Sequence, residues 1–86
     1  MDYDPKKAAA NLSKHGVSFP HAEGVLWDPL AVTVEDEDAQ GERRFVAIGV
    51  GQTGELLVLV YAETGGEYRL ISARRATRKE RKTYEG

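Results

Sequence analysis

The sequence predicts an α+β fold with two N-terminal helices, a four-stranded antiparallel β-meander and a short C-terminal helix. Three observations support this prediction. Apolar residues before residue 30 recur at helical spacing, whereas from Ala31 onwards they alternate with a period of two. Glycine-containing turns then separate the apolar segments by distances that suit hairpins. Because hairpin connections join neighbouring antiparallel strands, the strands are expected to follow one another across the sheet.

The first helix is predicted at residues 5–15 from signals at both ends. Asp4 can accept hydrogen bonds from free backbone N–H groups, and Pro5 suits the first helical turn because it has no N–H to lose. Gly16 suits the left-handed position after the last turn, where Leu12 and Val17 would form the accompanying apolar contact.

A second short helix is predicted to start at Ser18 with Pro20 and to end at Asp28-Pro29. Its apolar residues share one face at helical spacing. These residues are Phe19, Ala22, Val25 and Leu26.

The second half of the chain is predicted to form the sheet and the last helix. The strands are expected at residues 31–36, 44–50, 56–63 and 67–74, with an acidic loop closing at Gly41 between the first two. Thr77 and Glu80 have the spacing of a capping box, so a short basic helix is expected to follow.

Turn lengths also predict which side chains share a face of the sheet. Two-residue loops at Gln52-Thr53 and Gly65-Gly66 would place Arg44 with Tyr61 and Tyr68 on one face, and Arg69 on the other. An odd-length loop or a bulge would exchange these assignments. Both faces are apolar in the middle, and two short helices can cover only one of them. The other face is therefore expected to bind a partner or the C-terminal helix.

Composition limits the possible functions. With 86 residues the chain is expected to form a single domain over residues 1–86, too small for a deep cofactor cavity, and it contains no cysteine. No spacing of Asp, Glu and His favours a metal site, so neither a metal nor a cofactor is expected. The longest apolar run has seven residues and the N-terminus is acidic, which favours a cytoplasmic protein without a membrane segment.

Charge is distributed unevenly along the chain. Residues 69–86 contain seven basic and two acidic side chains, whereas residues 1–68 contain five basic and twelve acidic ones. A basic end suits a polyanion such as nucleic acid, although such a tail can equally be a solvated surface.

Several segments in order and spacing closely resemble the BrnT toxin family. The first 50 residues contribute Tyr3-Asp4-Pro5, Lys7-Ala8, Asn11, Lys14 to Val17, Phe19, Ala22, Asp28-Pro29, Arg44-Phe45 and Ile48-Gly49. The C-terminal stretch contributes Arg69 to Arg74, Ala76-Thr77, Glu80-Arg81 and Tyr84. The resemblance implies a RelE-like ribonuclease fold and the role of toxin in a type II toxin-antitoxin pair. It also implies RNA cleavage that inhibits translation, neutralisation by a BrnA-type antitoxin, and contact with DNA only through that antitoxin.

Metal-independent cleavage of RNA by the 2′-hydroxyl needs cations and one proton carrier. His15 is the predicted proton carrier because its ordinary pKa lies near neutrality, although a histidine at a helix C-terminus can be purely structural. Lys14 is predicted to be the accompanying catalytic cation. Lys7 and Asn11 continue the same polar stripe on the helix, which is either solvent-exposed surface or a phosphate contact.

The remaining candidates lie on the sheet and in the tail. Arg44 and Arg69 are predicted to stabilise the phosphate, because guanidinium groups match phosphate oxygens. Three further residues are predicted to bind RNA, with ordinary packing or surface roles as alternatives: Tyr61, Arg74 and Arg78. The nuclease hypothesis requires these groups to converge on one exposed concavity. A non-catalytic nucleic-acid-binding module and a protein-interaction domain are the alternative functions.

Overall fold

The computed structural model describes residues 1–36 and 41–86, so the tip of the predicted acidic loop, residues 37–40, lies outside the described residues. The predicted α+β fold is confirmed. Its elements are α1 (Pro5–His15), α2 (Phe19–Ala22), a 3₁₀ helix (Glu23–Trp27), β1 (Val32–Asp36), β2 (Arg43–Val50), β3 (Leu56–Thr64), β4 (Glu67–Arg75) and α3 (Arg78–Glu85).

The ends of α1 follow the sequence signals. The Asp4 carboxylate accepts a hydrogen bond of 2.9 Å from the backbone N–H of Lys6. At the other end Gly16 has a φ of 69°, and its N–H donates to the carbonyl of Leu12 at 2.8 Å. Because an L side chain rarely adopts this conformation, glycine ends the helix there. The second predicted helix is instead divided into α2 and the 3₁₀ helix.

The four strands form one antiparallel sheet in the order β1-β2-β3-β4. Between β3 and β4 the two-residue turn at Gly65-Gly66 is confirmed, since Thr64 pairs with Glu67. Between β2 and β3 the predicted two-residue turn is wrong. Val50 pairs with Leu56, which leaves residues 51–55 in the loop. A hydrogen bond of 2.8 Å from the N–H of Gly51 to the carbonyl of Glu55 closes this wider turn.

This odd-length loop changes which side chains share a face. One face carries the buried side chains of Ala47, Leu57, Leu59, Leu70 and Ala73. They pack against Val17, Phe19, Ala22 and Val25 from the helical region and so form the core.

A β-bulge in β4 keeps this core face continuous. Tyr61 pairs with Leu70 and Val60 pairs with Ser72, which leaves Ile71 as the extra residue. Without the bulge Ala73 would point to the other face, because a shift of one residue reverses every side chain beyond it.

The second face is partly covered by α3, as one of the two sequence hypotheses stated. Arg74 lies on this face opposite Val58, and its guanidinium donates to both carboxylate oxygens of Glu80 at 2.7 Å. At the other end of α3 the Tyr84 hydroxyl donates to Asp28 at 2.6 Å. The capping box between Thr77 and Glu80 is also present, as predicted.

Across residues 1–36 and 41–86, no helix is long and apolar enough to cross a membrane.

Candidate catalytic site

Arg44 and Arg69 lie on the same face of the sheet, contrary to the register predicted from ideal hairpins. Arg44 pairs with Ala62 on one side, and Arg69 pairs with Ala62 on the other. Because neighbouring strands are about 4.8 Å apart, the two arginine Cα atoms flank Ala62 at about 10 Å from each other. The odd-length β2–β3 loop causes this arrangement, since it moves Arg44 to the face that Arg69 occupies.

Glu42 connects the two arginines. Its carboxylate lies 3.5 Å from a guanidinium nitrogen of Arg44 and 3.3 Å from one of Arg69. The Thr64 hydroxyl donates to the same carboxylate at 3.3 Å. Only 20% of the Glu42 side chain is exposed, and hydrogen bonds from Arg69 and Thr64 together with the ion pair to Arg44 restrict its position.

Glu42 was not among the residues predicted from the sequence. The signal that could have identified Glu42 is its spacing from Arg44. Glu42 directly precedes β2 and lies two residues before Arg44, and the alternation of a strand continued by one residue places both on the same face. An acidic residue at this position therefore lies beside the arginine that the sequence did identify.

A concavity of about 380 Å³ opens beside this group at the end of the sheet. Glu42 and Arg69 line it with Tyr68, which is half-exposed. It therefore brings a carboxylate, a guanidinium group and an aromatic ring together in one exposed depression. The remaining lining residues are Asp2, Ala62, Thr64 and Glu67.

The predicted residues of α1 lie elsewhere. Lys7, Lys14 and His15 line a second concavity of about 230 Å³ between α1 and β4. The backbone carbonyl of His15 accepts a hydrogen bond of 3.1 Å from Arg75, which is six residues beyond Arg69 in β4. Six residues of strand span about 20 Å, so His15 lies far from Arg69, whereas the Lys7 end of this concavity is lined by Ile71 and Ser72 and lies nearer. Neither Glu42 nor Arg69 lines this second concavity. The expected convergence on one concavity is therefore not found.

Asn11 is not part of a solvent-exposed stripe. It is 7% exposed, and its side-chain amide donates to the carbonyls of Val17 at 3.0 Å and Ala73 at 2.8 Å. Its side-chain carbonyl accepts from the N–H of Ala73 at 3.1 Å. These three bonds join α1 to β4, so the structure explains Asn11 without any contact to RNA.

The remaining predicted residues do not line the concavity beside Glu42, although the Tyr61 ring lies 5.9 Å from the ring of Tyr68, which does. Tyr61 lies on the core face, half-buried and stacked on Phe45 with ring centroids 5.2 Å apart, and burial raises the pKa of its hydroxyl. Arg74 is held by Glu80, and this hydrogen-bonded pair raises the pKa of Arg74. Arg78 is exposed in the first turn of α3.

No group of three or more His, Cys, Asp or Glu side chains that could hold a metal ion occurs within the described ranges 1–36 and 41–86.

Comparisons with known proteins agree with this architecture. Residues 3–80 match the family model described as the ribonuclease toxin, BrnT, of type II toxin-antitoxin system. The chain is also similar to the crystal structure of the Brucella abortus ribonuclease toxin, BrnT, with 26% sequence identity and a TM-score of 0.70. That similarity covers 91% of this chain and 96% of the Brucella chain. No curated protein matches the chain.

Proposed function

This chain belongs to the BrnT family of ribonuclease toxins of type II toxin-antitoxin systems, and from that membership we propose that it cleaves RNA without a metal ion at the Glu42 site. The observation that supports the proposal is the position of one carboxylate between two guanidinium groups beside an exposed concavity. Transesterification by the 2′-hydroxyl needs only a proton acceptor and positive charge at the phosphate.

In the proposed reaction Glu42 accepts the proton of the 2′-hydroxyl while the 2′-oxygen attacks the adjacent phosphorus. The bond from phosphorus to the 5′-oxygen breaks, and water donates a proton to that leaving oxygen. The products are a 2′,3′-cyclic phosphate and a free 5′-hydroxyl. The proton passes from Glu42 to solvent before the next turnover.

Arg44 and Arg69 have two roles in this proposal. In the free protein they contact Glu42, and the incoming phosphate competes for the same guanidinium groups. Because the Arg44 and Arg69 side chains are 45% and 48% exposed, each ion pair contributes little to stability, so its exchange for a phosphate contact costs little free energy. When both guanidiniums bind the phosphate, they stabilise the charge that develops on it.

The cations of α1 have a different proposed role. Lys7, Lys14 and His15 line a separate concavity that contains neither Glu42 nor Arg69, so they are not placed to act on the scissile bond at Glu42. We propose that they bind a neighbouring phosphate of the same RNA. Glu42 thereby replaces His15 as the proposed proton acceptor.

The biological setting follows from the family. We propose that the single domain, residues 1–86, is RelE-like and acts on RNA in the cytoplasm, where it inhibits translation until a BrnA-type antitoxin binds it. Any contact with DNA is made by the antitoxin in this proposal.

The test compares two carboxylates at the same concavity. Glu42→Gln removes the proton acceptor, and we expect cleavage of single-stranded RNA in EDTA to fall by about 10² to 10⁴-fold. Glu67→Gln makes the same chemical change at another lining position and is expected to preserve the rate. The readout is the rate of fragment formation and the presence of a 2′,3′-cyclic phosphate end.

Two outcomes would refute the proposal. If Glu42→Gln and Glu67→Gln cleave RNA equally well, Glu42 is not the base. If EDTA abolishes cleavage by the wild-type protein and Mg²⁺ restores it, the reaction uses a metal.

A further inference from the structure

The face of the sheet that carries Arg44 and Arg69 also carries an uncovered apolar strip. Val34 pairs with Val46, Val46 pairs with Val60, and the three side chains form one row across β1, β2 and β3. We call this row the valine shelf. Val34 is 61% exposed, and Val46 and Val60 are half-buried. The three valines form a contiguous apolar strip, and contiguous apolar surface, unlike single scattered residues, is typical of interaction sites.

The position of α3 explains why the shelf stays open. One end of α3 is held over β4 by the bond from Arg74 to Glu80. Its other end reaches Asp28, whose carboxylate also accepts from the backbone N–H of Val50. The helix therefore crosses the end of the sheet near Val58, one row from the shelf. The row on the opposite side of the shelf contains Arg44 and Arg69.

The charge of α3 indicates what kind of partner the shelf receives. Its exposed side is cationic, and in the part of the chain that the structure describes only Arg81 has an acidic partner, Glu85 at 4.0 Å. Two of the cations lie in the first turn, where positive charge is unfavourable for the helix dipole. The four residues are Arg78, Lys79, Arg81 and Lys82.

We propose that the valine shelf and α3 together bind an amphipathic, acidic helix of the protein antitoxin. The identity of the partner as an antitoxin rests on the proposed function, whereas the surface and its chemistry come from the structure. Apolar residues of the partner would cover Val34, Val46 and Val60, and its acidic residues would face the cations of α3. Valine side chains offer no ring on which a base could stack, which disfavours RNA as the occupant.

Helix dimensions connect this surface to inhibition. Residues two apart in a strand are separated by about 7 Å, so the shelf lies about 7 Å from the row of Arg44 and Arg69. Packed helices lie about 8–10 Å apart and are about 10–12 Å wide. A helix packed beside α3 on the shelf therefore overhangs Arg44 and blocks access to Glu42.

The first experiment changes the shelf. Val34→Lys introduces a cation at an exposed position. The affinity of this variant for a purified BrnA-type antitoxin is measured by titration calorimetry. We expect the Kd to rise at least about tenfold, as for truncation of a central interface residue. The control is Trp27→Ala, which removes an apolar side chain that is 84% exposed but lies outside the shelf. Its Kd is expected to stay within about twofold of the wild-type value, the change typical of a residue outside the energetic centre.

A second pair of variants tests the charge without altering the sheet. Lys79→Glu is expected to slow association with the antitoxin, whereas Lys6→Glu makes the same change on α1 and is expected to leave the rate constant unchanged. Because Lys79 and Lys6 are both exposed, this comparison remains informative even if Val34→Lys fails to fold.

RNA cleavage without antitoxin is measured for every variant, which separates this inference from the proposed function. If the wild-type protein does not cleave RNA, the proposed function fails, but the binding measurements still test the surface. The inference is overturned if Trp27→Ala weakens binding as much as Val34→Lys, or if neither Val34→Lys nor Lys79→Glu weakens it. It is also overturned if Val34→Lys loses RNA cleavage with an unchanged antitoxin Kd, or if the free wild-type protein is a dimer that Val34→Lys dissociates.

Discussion

Replacing Asn11 by alanine is expected to destabilise the fold strongly. The side chain makes three hydrogen bonds, two to the backbone of Ala73 in β4 and one to the carbonyl of Val17. In the alanine variant the carbonyl of Val17 and the carbonyl and N–H of Ala73 lose their hydrogen bonds to the Asn11 side chain. A buried group without a partner costs about 1–3 kcal/mol, so the lower limit for the three together is about 3 kcal/mol.

The measurement is urea denaturation followed by circular dichroism. A loss of about 3 kcal/mol is a large part of the stability of a small domain, and for this chain length it corresponds to a fall in Tm of about 12–24 °C. Lys7→Ala is the matched control, because Lys7 lies on the same helix with its side chain exposed and should change stability by less than about 0.5 kcal/mol.

The result also decides between two roles of Asn11. If Asn11 is a structural link, Asn11→Ala lowers the free energy of unfolding at an unchanged m-value. If it is an RNA contact, stability stays within about 0.5 kcal/mol of wild type and only RNA affinity falls. The second outcome would refute the structural assignment.

Two further predictions concern charge. The Arg74 guanidinium lowers the pKa of Glu80 from 4.5 to about 2, so the stabilisation from this carboxylate is complete above about pH 5 and is lost as the pH falls towards 2. Wild type should therefore be more stable than Glu80→Gln by about 1 kcal/mol at pH 7, since the pair is partly exposed. In acid denaturation curves this difference should shrink as the pH falls below about 5 and disappear only below about pH 2; a constant difference would contradict the assignment. Lys14→Ala should raise the KM for RNA with little change in kcat, because the Lys14 side chain is proposed to bind a phosphate away from the scissile bond. A fall in kcat alone would instead place Lys14 in the reaction.

Local signals in the sequence were sufficient for the elements themselves. Asp4 and Gly16 predict both ends of α1, and Thr77 with Glu80 predicts the start of α3, because caps depend on residues that are close in the chain. The turn at Gly65-Gly66 is equally local, since both glycines adopt a positive φ.

The arrangement of side chains on the sheet needed tertiary information. The β2–β3 loop contains glycines that suit several turn lengths, and the bond from Gly51 to Glu55 decides in favour of five residues. That difference of one residue in register reverses the face of Arg44. A prediction based on an ideal hairpin places Arg44 and Arg69 on opposite faces and therefore misses the link that Glu42 makes between them.

By itself the sequence determined the periodicity, the caps, the glycine turns and the family, because each depends on residue types at short spacing or on their order along the chain. Only the tertiary structure decided that Asn11 is buried, that Glu42 joins two arginines, and that the cations of α1 form a separate surface. The physical reason is that successive residues of a strand point to opposite faces of the sheet. Whether the β2–β3 loop has an odd or an even number of residues therefore decides which charged side chains, distant in the chain, lie on the same face.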